Sequence, residues 1–221
     1  MPVAPADVVF LLDVDNTLLD NGIVVADFRR QLAATLGPGA ERRYWEIFEE
    51  LFIDPGFADY FGALNRYSLE QPRDPRFFEI ALFLYHYPFA DRVYPRVWEL
   101  IAALRQRGPV VIVSDGDVVF QPFKAERSGL RKAVDNNLLI YVHKEQMLDD
   151  IERRYPAKRY VMADDKIYVL AAMKAIWKER LTTVFVRQGH YAHDAKIVAA
   201  SPPADVTIEA IGDMIAMAHK L

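Results

Sequence analysis

The sequence predicts an α/β fold: a doubly wound, parallel, Rossmann-like sheet carrying a small all-helical cap. Three observations point there. Short β-branched apolar runs recur along the second half of the chain, helical sequence separates them, and a long aromatic stretch interrupts the pattern between the first run and the second. Runs that are apolar on both faces and bounded by polar or turn residues fit strands buried in a parallel sheet. Strand, helix and strand in succession imply right-handed crossovers.

The first run is Val8 to Leu12, followed by Val110 to Val113, Leu138 to Val142, Tyr160 to Ala163, Thr182 to Val186 and a weaker one at Val206 to Ile208. The segment Pro95 to Arg107 reads as a helix, with Val97, Leu100, Ile101 and Leu104 on one face and Gly108 ending it. After the first strand, Asn21-Gly22 between apolar stretches is a hairpin signal. Asp54-Pro55 and Asp74-Pro75 each pair a capping acid with a proline suited to a first helical turn. Three apolar stripes follow helical spacing: Tyr44, Ile47, Phe48 and Leu51; Phe57, Phe61 and Leu64; Phe78, Leu82 and Tyr85. Residues 24–90 therefore read as a helical cap, and residues 1–23 with 91–221 as the α/β core.

Composition narrows the function. The 221 residues are 52% hydrophobic and 26% charged, enough for a packed core. A net charge of −4 gives no general attraction to nucleic acid or to an anionic membrane, so a small-molecule partner is expected. With no cysteine, disulfides, thiolate nucleophiles and cysteine-ligated metals are excluded. The first residues do not resemble a signal peptide, and no stretch is apolar enough to span a membrane. A soluble cytoplasmic protein is the expectation, and nothing in the sequence sets an oligomeric state.

Ligands of an open α/β sheet bind beyond the carboxyl ends of its strands. There the first strand ends in Asp13-Val14-Asp15-Asn16-Thr17 and the second in Ser114-Asp115-Gly116-Asp117, while Lys144 follows the third and Asp164-Asp165 ends the fourth. Any one of these acids alone would be a cap or turn residue. As a set they repel one another, by about 4 kcal/mol for a pair about 4 Å apart at an effective dielectric of about 20, unless a cation intervenes. Carboxylates without a neighbouring histidine or cysteine suit magnesium better than zinc.

The ordered set resembles the four motifs of the haloacid dehalogenase-like superfamily: an apolar strand with Asp-x-Asp-x-Thr (Asp13 to Thr17), a strand-ending Ser114, then Lys144, then the acidic pair Asp164-Asp165. The helical stretch between the first two motifs is similar to the cap of many members. The resemblance implies that Asp13 is the nucleophile and forms an aspartyl-phosphate, and that Asp15 protonates the leaving group and then activates water. It implies Mg2+ held by Asp13, Asp15 (through its backbone carbonyl), Asp164 and Asp165. Ser114 and Lys144 would hold phosphate oxygens, and Thr17 would order the turn at the phosphate site. Asp15 favours phosphate chemistry, because superfamily members that cleave carbon–halogen bonds lack the second acid.

The sequence also departs from the pattern. Ala163 stands where glycine is usual, Tyr168 where a further acid is expected, and Lys144 has no proline after it. Lys124 competes with Lys144 for the phosphate-site role, Asp164 with Asp165 for that of main metal ligand, and Asp115 and Asp117 either cap the next helix or touch substrate. Of the histidines, His143 is nearest the site, while His190 and His193 read as surface-loop residues. The arginines of the cap, Arg29 among them, read as a solvated face. The expected substrate is a small phosphorylated metabolite. Phosphotransfer by a mutase-like enzyme and a non-catalytic binding role are the alternatives.

Overall fold

The computed structural model describes residues 4–53 and 58–220, so Asp54-Pro55 and Phe57 lie outside the described residues. Six strands form one parallel sheet: β1 (Ala6–Leu12), β2 (Val110–Asp115), β3 (Leu138–Tyr141), β4 (Ala157–Asp164), β5 (Leu181–Val186) and β6 (Val206–Ile208), in the order β3-β2-β1-β4-β5-β6. The apolar runs at Val8, Val110, Leu138, Tyr160, Thr182 and Val206 each fall within a strand. Alternation along β1 serves both faces, since Val8, Phe10 and Leu12 join one core while Val9 and Leu11 join the other. The chain runs outward from β1 to β3, then returns to β4 on the other side of β1. The carboxyl ends of β1 and β4 thus flank the switch point where such sheets bind ligands.

Between β1 and β2 stand α1 (Asn21–Leu36), α2 (Pro38–Ile53), α3 (Tyr60–Glu70), α4 (Phe77–His86) and α5 (Val97–Arg105). The entering and leaving strands of the insertion run side by side: Leu19 bridges Val93, the Asp20 amide donates to Arg92 O at 2.8 Å, and the Tyr94 amide donates to Leu18 O at 2.9 Å. Helix α5 buries Val97, Leu100, Ile101 and Leu104, the predicted face.

Two sequence expectations are corrected here. Asn21-Gly22 is not a hairpin turn but the start of α1, because Asp20 caps the helix by accepting from the Ile23 amide at 3.0 Å. Val24, Phe28 and Leu32, one turn apart, then bury the helix against its neighbours. The α4 stripe is also reversed: Phe78 is 68% exposed, Tyr85 54% and Leu82 37%, whereas Ile80 and Leu84 are buried. Apolar on nearly every side, α4 offered two stripes, and the one facing α1 and α3 is buried. Asp74 does cap a turn at Pro75, accepting from the Arg76 amide at 3.0 Å, but α4 itself starts only at Phe77.

The aromatic residues of the insertion pack edge-on, with Phe28 and Tyr44 at 5.1 Å between ring centres and Trp45 and Phe48 at 4.9 Å. They are continuous with the apolar core on one side of the sheet. No described helix is long and apolar enough to cross a membrane.

Candidate active site

The loop after β1 folds back on itself. The Thr17 (3.2 Å), Leu18 (2.9 Å) and Leu19 (2.9 Å) amides all donate to Val14 O, and Asn16 takes a left-handed φ of 62°. This tight turn leaves Asp13 and Asp15 pointing to different partners. Asp13 Oδ1 accepts from Lys144 Nζ at 2.6 Å and from Ser114 Oγ at 3.2 Å. Both oxygens of Asp15 accept from Lys124 Nζ at 2.8 Å, and Oδ2 also accepts from Gln121 Nε2 at 3.3 Å. The same Gln121 amide reaches Ser114 Oγ at 2.9 Å.

The competition between the two lysines thus has a geometric answer. Lys144 sits with the nucleophile position, its ammonium also 2.6 Å from Asp164 Oδ2, and it is fully buried. Lys124, one turn beyond Gln121 on α6 (Phe120–Arg127), is buried behind Asp15. Burial alone would weaken the Lys144 charge, but Asp13, Asp164 and Asp115 outweigh it and hold the lysine well above its ordinary value.

Asp13, Asp164 and Asp165 each offer a carboxylate oxygen within 4.8 Å of the others, and all three are buried. Burial first, and then the neighbouring acids, push Asp164 and Asp165 above the usual carboxylate range. Among the described residues, neither oxygen of Asp165 has a hydrogen-bond partner. Buried carboxylate oxygens without donors are what a hard divalent cation would satisfy, so the residues fit magnesium. The Asp15 carboxylate lies outside this trio, which leaves its backbone carbonyl as the group it could offer a metal.

The remaining predicted residues fall as follows. Thr17 is buried and its hydroxyl accepts from the Asp165 amide at 3.1 Å, so it ties the β1 loop to the acidic pair. Asp115 accepts from the Lys144 amide at 2.8 Å, anchoring that lysine's backbone, while burial raises its carboxyl above the usual range. Asp117 caps α6, accepting from the Val119 and Phe120 amides at 2.8 and 2.6 Å.

A cleft of about 650 Å³ opens at these strand ends. Val25, Trp45, Phe48, Phe52 and Tyr60 of the insertion form its apolar side; Asp15, Asp115, His143, Lys166 and His190 lie on the sheet side. His190 is exposed, as the sequence suggested, but it lies on a short helix and not in a loop, and it lines the cleft. That helix is α7 (Gly189–His193), after β5, and Gly189, at a φ of 70°, lets that turn press against Asn16, where a Cβ would come within 2.4 Å. Arg29 also lines the cleft, its guanidinium 4.2 Å from the centre of the Trp45 ring and paired with Glu41. Sequence reasoning missed Gln121 and Lys166. Gln121 precedes Lys124 by three residues on one helix face, and Lys166 directly follows the acidic pair, so both signals were available.

A family model of haloacid dehalogenase-like hydrolases matches residues 8–176. A crystal structure of such a hydrolase from Burkholderia xenovorans LB400 is 56% identical, covering 98% of each chain with a TM-score of 0.93. This chain belongs to the haloacid dehalogenase-like hydrolases.

Other members share the fold at low identity. A magnesium-bound family hydrolase from Bacillus subtilis is 16% identical over 97% of this chain and 99% of that one, with a TM-score of 0.64. The L-2-haloacid dehalogenase of Xanthobacter autotrophicus, with chloropropionic acid covalently bound, is 13% identical over 96% and 98%, also at 0.64. No functionally curated protein matches the chain.

Proposed function

We propose that this hydrolase is a magnesium-dependent phosphatase acting on a small phosphorylated metabolite through an aspartyl-phosphate. The observation that carries the reading is Asp15, a second acid beside the nucleophile position that hydrogen bonds hold outside the metal-type trio. An alkoxide leaving a phosphomonoester needs a proton, whereas a departing halide needs none. The dehalogenases among the structural relatives are too distant to carry their reaction over to this chain.

Asp13, Asp164, Asp165 and the Asp15 carbonyl would hold magnesium, which supplies charge neutralisation at the phosphoryl oxygens. Asp13 attacks phosphorus as the ester P–O bond breaks, forming the acyl phosphate. Asp15 gives its proton to the departing oxygen, and its carboxylate then takes one from the water that attacks the intermediate. Lys144 and Ser114, both on Asp13 Oδ1, orient the nucleophile and face the incoming phosphoryl charge.

The test is a panel of phosphomonoesters with magnesium, run beside 2-chloropropionate. Phosphate release that stops on chelation and resumes with magnesium is expected, with no chloride release. Chloride release without phosphate release would overturn the reading. Asp13→Asn, nearly isosteric, should lower turnover at least about a thousandfold while leaving the circular dichroism spectrum unchanged.

A further inference from the structure

Three described residues bring a cationic or imidazole group to the mouth of the cleft with partners already in place: Arg29 is paired with Glu41, His143 lies 3.8 Å from Glu145, and His190 packs at a tilt against Tyr191, 3.9 Å between ring centres. Lys166 differs. Its backbone amide is anchored on Asp164 Oδ1 at 2.8 Å, but among the described residues its ammonium makes no hydrogen bond or salt bridge to a carboxylate. It sits 5.3 Å from the centre of the Tyr191 ring, and Asp13 and Asp164 attract it from beyond hydrogen-bonding distance. A cation held largely out of water without a direct counter-ion is an anion receptor in waiting. His190 shares that wall, where partial burial first and the Lys166 charge second lower its basicity, and its imidazole N–H can donate to an anion.

Across the cleft stand the rings of Trp45, Phe48 and Phe52, with Glu49 and the Glu41-paired Arg29 beside them. The geometry points to a second anion subsite: Lys166, with His190, receives an anionic group on the alcohol part of the substrate. The carbon frame of that alcohol lies against the Trp45–Phe48–Phe52 wall while its phosphate faces Asp13. The substrate class is then a phosphomonoester whose alcohol carries a second anionic group on a short apolar or aromatic frame. This rests on the phosphatase reading and deepens it. A lysine that merely offsets the acidic trio would make no distinction between charged and neutral alcohols.

The probes are 3- and 4-carboxyphenyl phosphate, each set against its carbamoyl counterpart, which matches it in shape and lacks the charge. Calorimetric titration into the Asp13→Asn protein with magnesium reads the subsite, and phosphate release by the wild-type protein reads the reaction. At one ring position or both, the carboxylate should bind about tenfold tighter than the amide, the scale of one charge-assisted hydrogen bond. Adding Lys166→Met should bring the ratio to about one, and Lys166→Arg should keep most of it. Equal binding of acid and amide, or a preference that survives Lys166→Met, overturns the subsite. Binding preference with no phosphate release overturns the phosphatase reading and leaves the subsite standing.

Discussion

Two buried lysines and two acids at the end of β1 divide the chemistry between them, and each pair makes its own prediction. Lys144 bridges Asp13 and Asp164 with no exposure to water, so Lys144→Met leaves buried carboxylates facing one another. Breaking a buried pair from one side typically costs about 3–5 kcal/mol, and a lower midpoint in urea would register it. Unchanged stability would mean that water already reaches those acids. Lys124 makes a different prediction, because its contacts are with Asp15, Asn21 and the Phe120 ring rather than with the nucleophile. Lys124→Met frees Asp15 to turn away, which matters only when the leaving group needs a proton. Turnover of an alkyl phosphate should fall about a hundredfold, and that of p-nitrophenyl phosphate, whose phenolate leaves readily, by less than about tenfold. Equal losses on both substrates would show Lys124 to be structural only.

At the scale of the elements, the edge strand β6 is tied to β5 at its amino end, away from the site. Asp205, just before β6, accepts from the Thr183 amide and hydroxyl at 2.8 and 3.0 Å and from Lys174 at 2.9 Å. Burial opposes its ionisation, but these donors outweigh burial and lower its carboxyl below the ordinary range. The stabilisation is therefore complete above the usual carboxylate value of about 3.9 and fades as pH falls through the lower folded value. Asp205→Ala should cost about 1 kcal/mol at pH 7 and progressively less as pH falls below about 4, as urea titrations across that range would read. The strands were legible in the sequence because burial on both faces leaves an unbroken apolar run. The local signals at Asn21-Gly22 and along α4 misled for opposite reasons. A hairpin dipeptide was overridden by the Asp20 cap and the Val24–Phe28–Leu32 stripe, and an all-round apolar helix carries no sign of which face its neighbours cover. The acids of the site could be read from their positions after strands. Lys144 could be preferred over Lys124 too, because it directly follows β3 whereas Lys124 lies within a helix; the turn at Asn16 that sends Asp13 and Asp15 to separate partners could not be read.

Across the whole molecule, the acidic trio joins β1 to β4, the two strands that meet at the switch point, so metal binding there bears on the stability of the entire sheet. Three buried acids crowd together there, and among the described residues the oxygens of Asp165 have no hydrogen-bond partner, so a bound divalent ion would relieve both costs. Binding to the folded state alone stabilises by mass action, about 2.7 kcal/mol at a magnesium concentration a hundred times Kd. For a chain of this size that corresponds to a rise of about 5–10 °C in melting temperature. Asp165→Asn keeps the volume but removes a buried carboxyl whose ionisation burial and the neighbouring acids oppose, so the metal-free variant should melt no lower than metal-free wild type while losing the magnesium-dependent rise. Asp164→Asn should lose the rise too, and its metal-free form should melt below that of Asp165→Asn, because Asp164 is paired with Lys144 whereas Asp165 is not. A magnesium-dependent rise that persisted in both variants would place the ion elsewhere and separate this acidic cluster from the hydrolase chemistry.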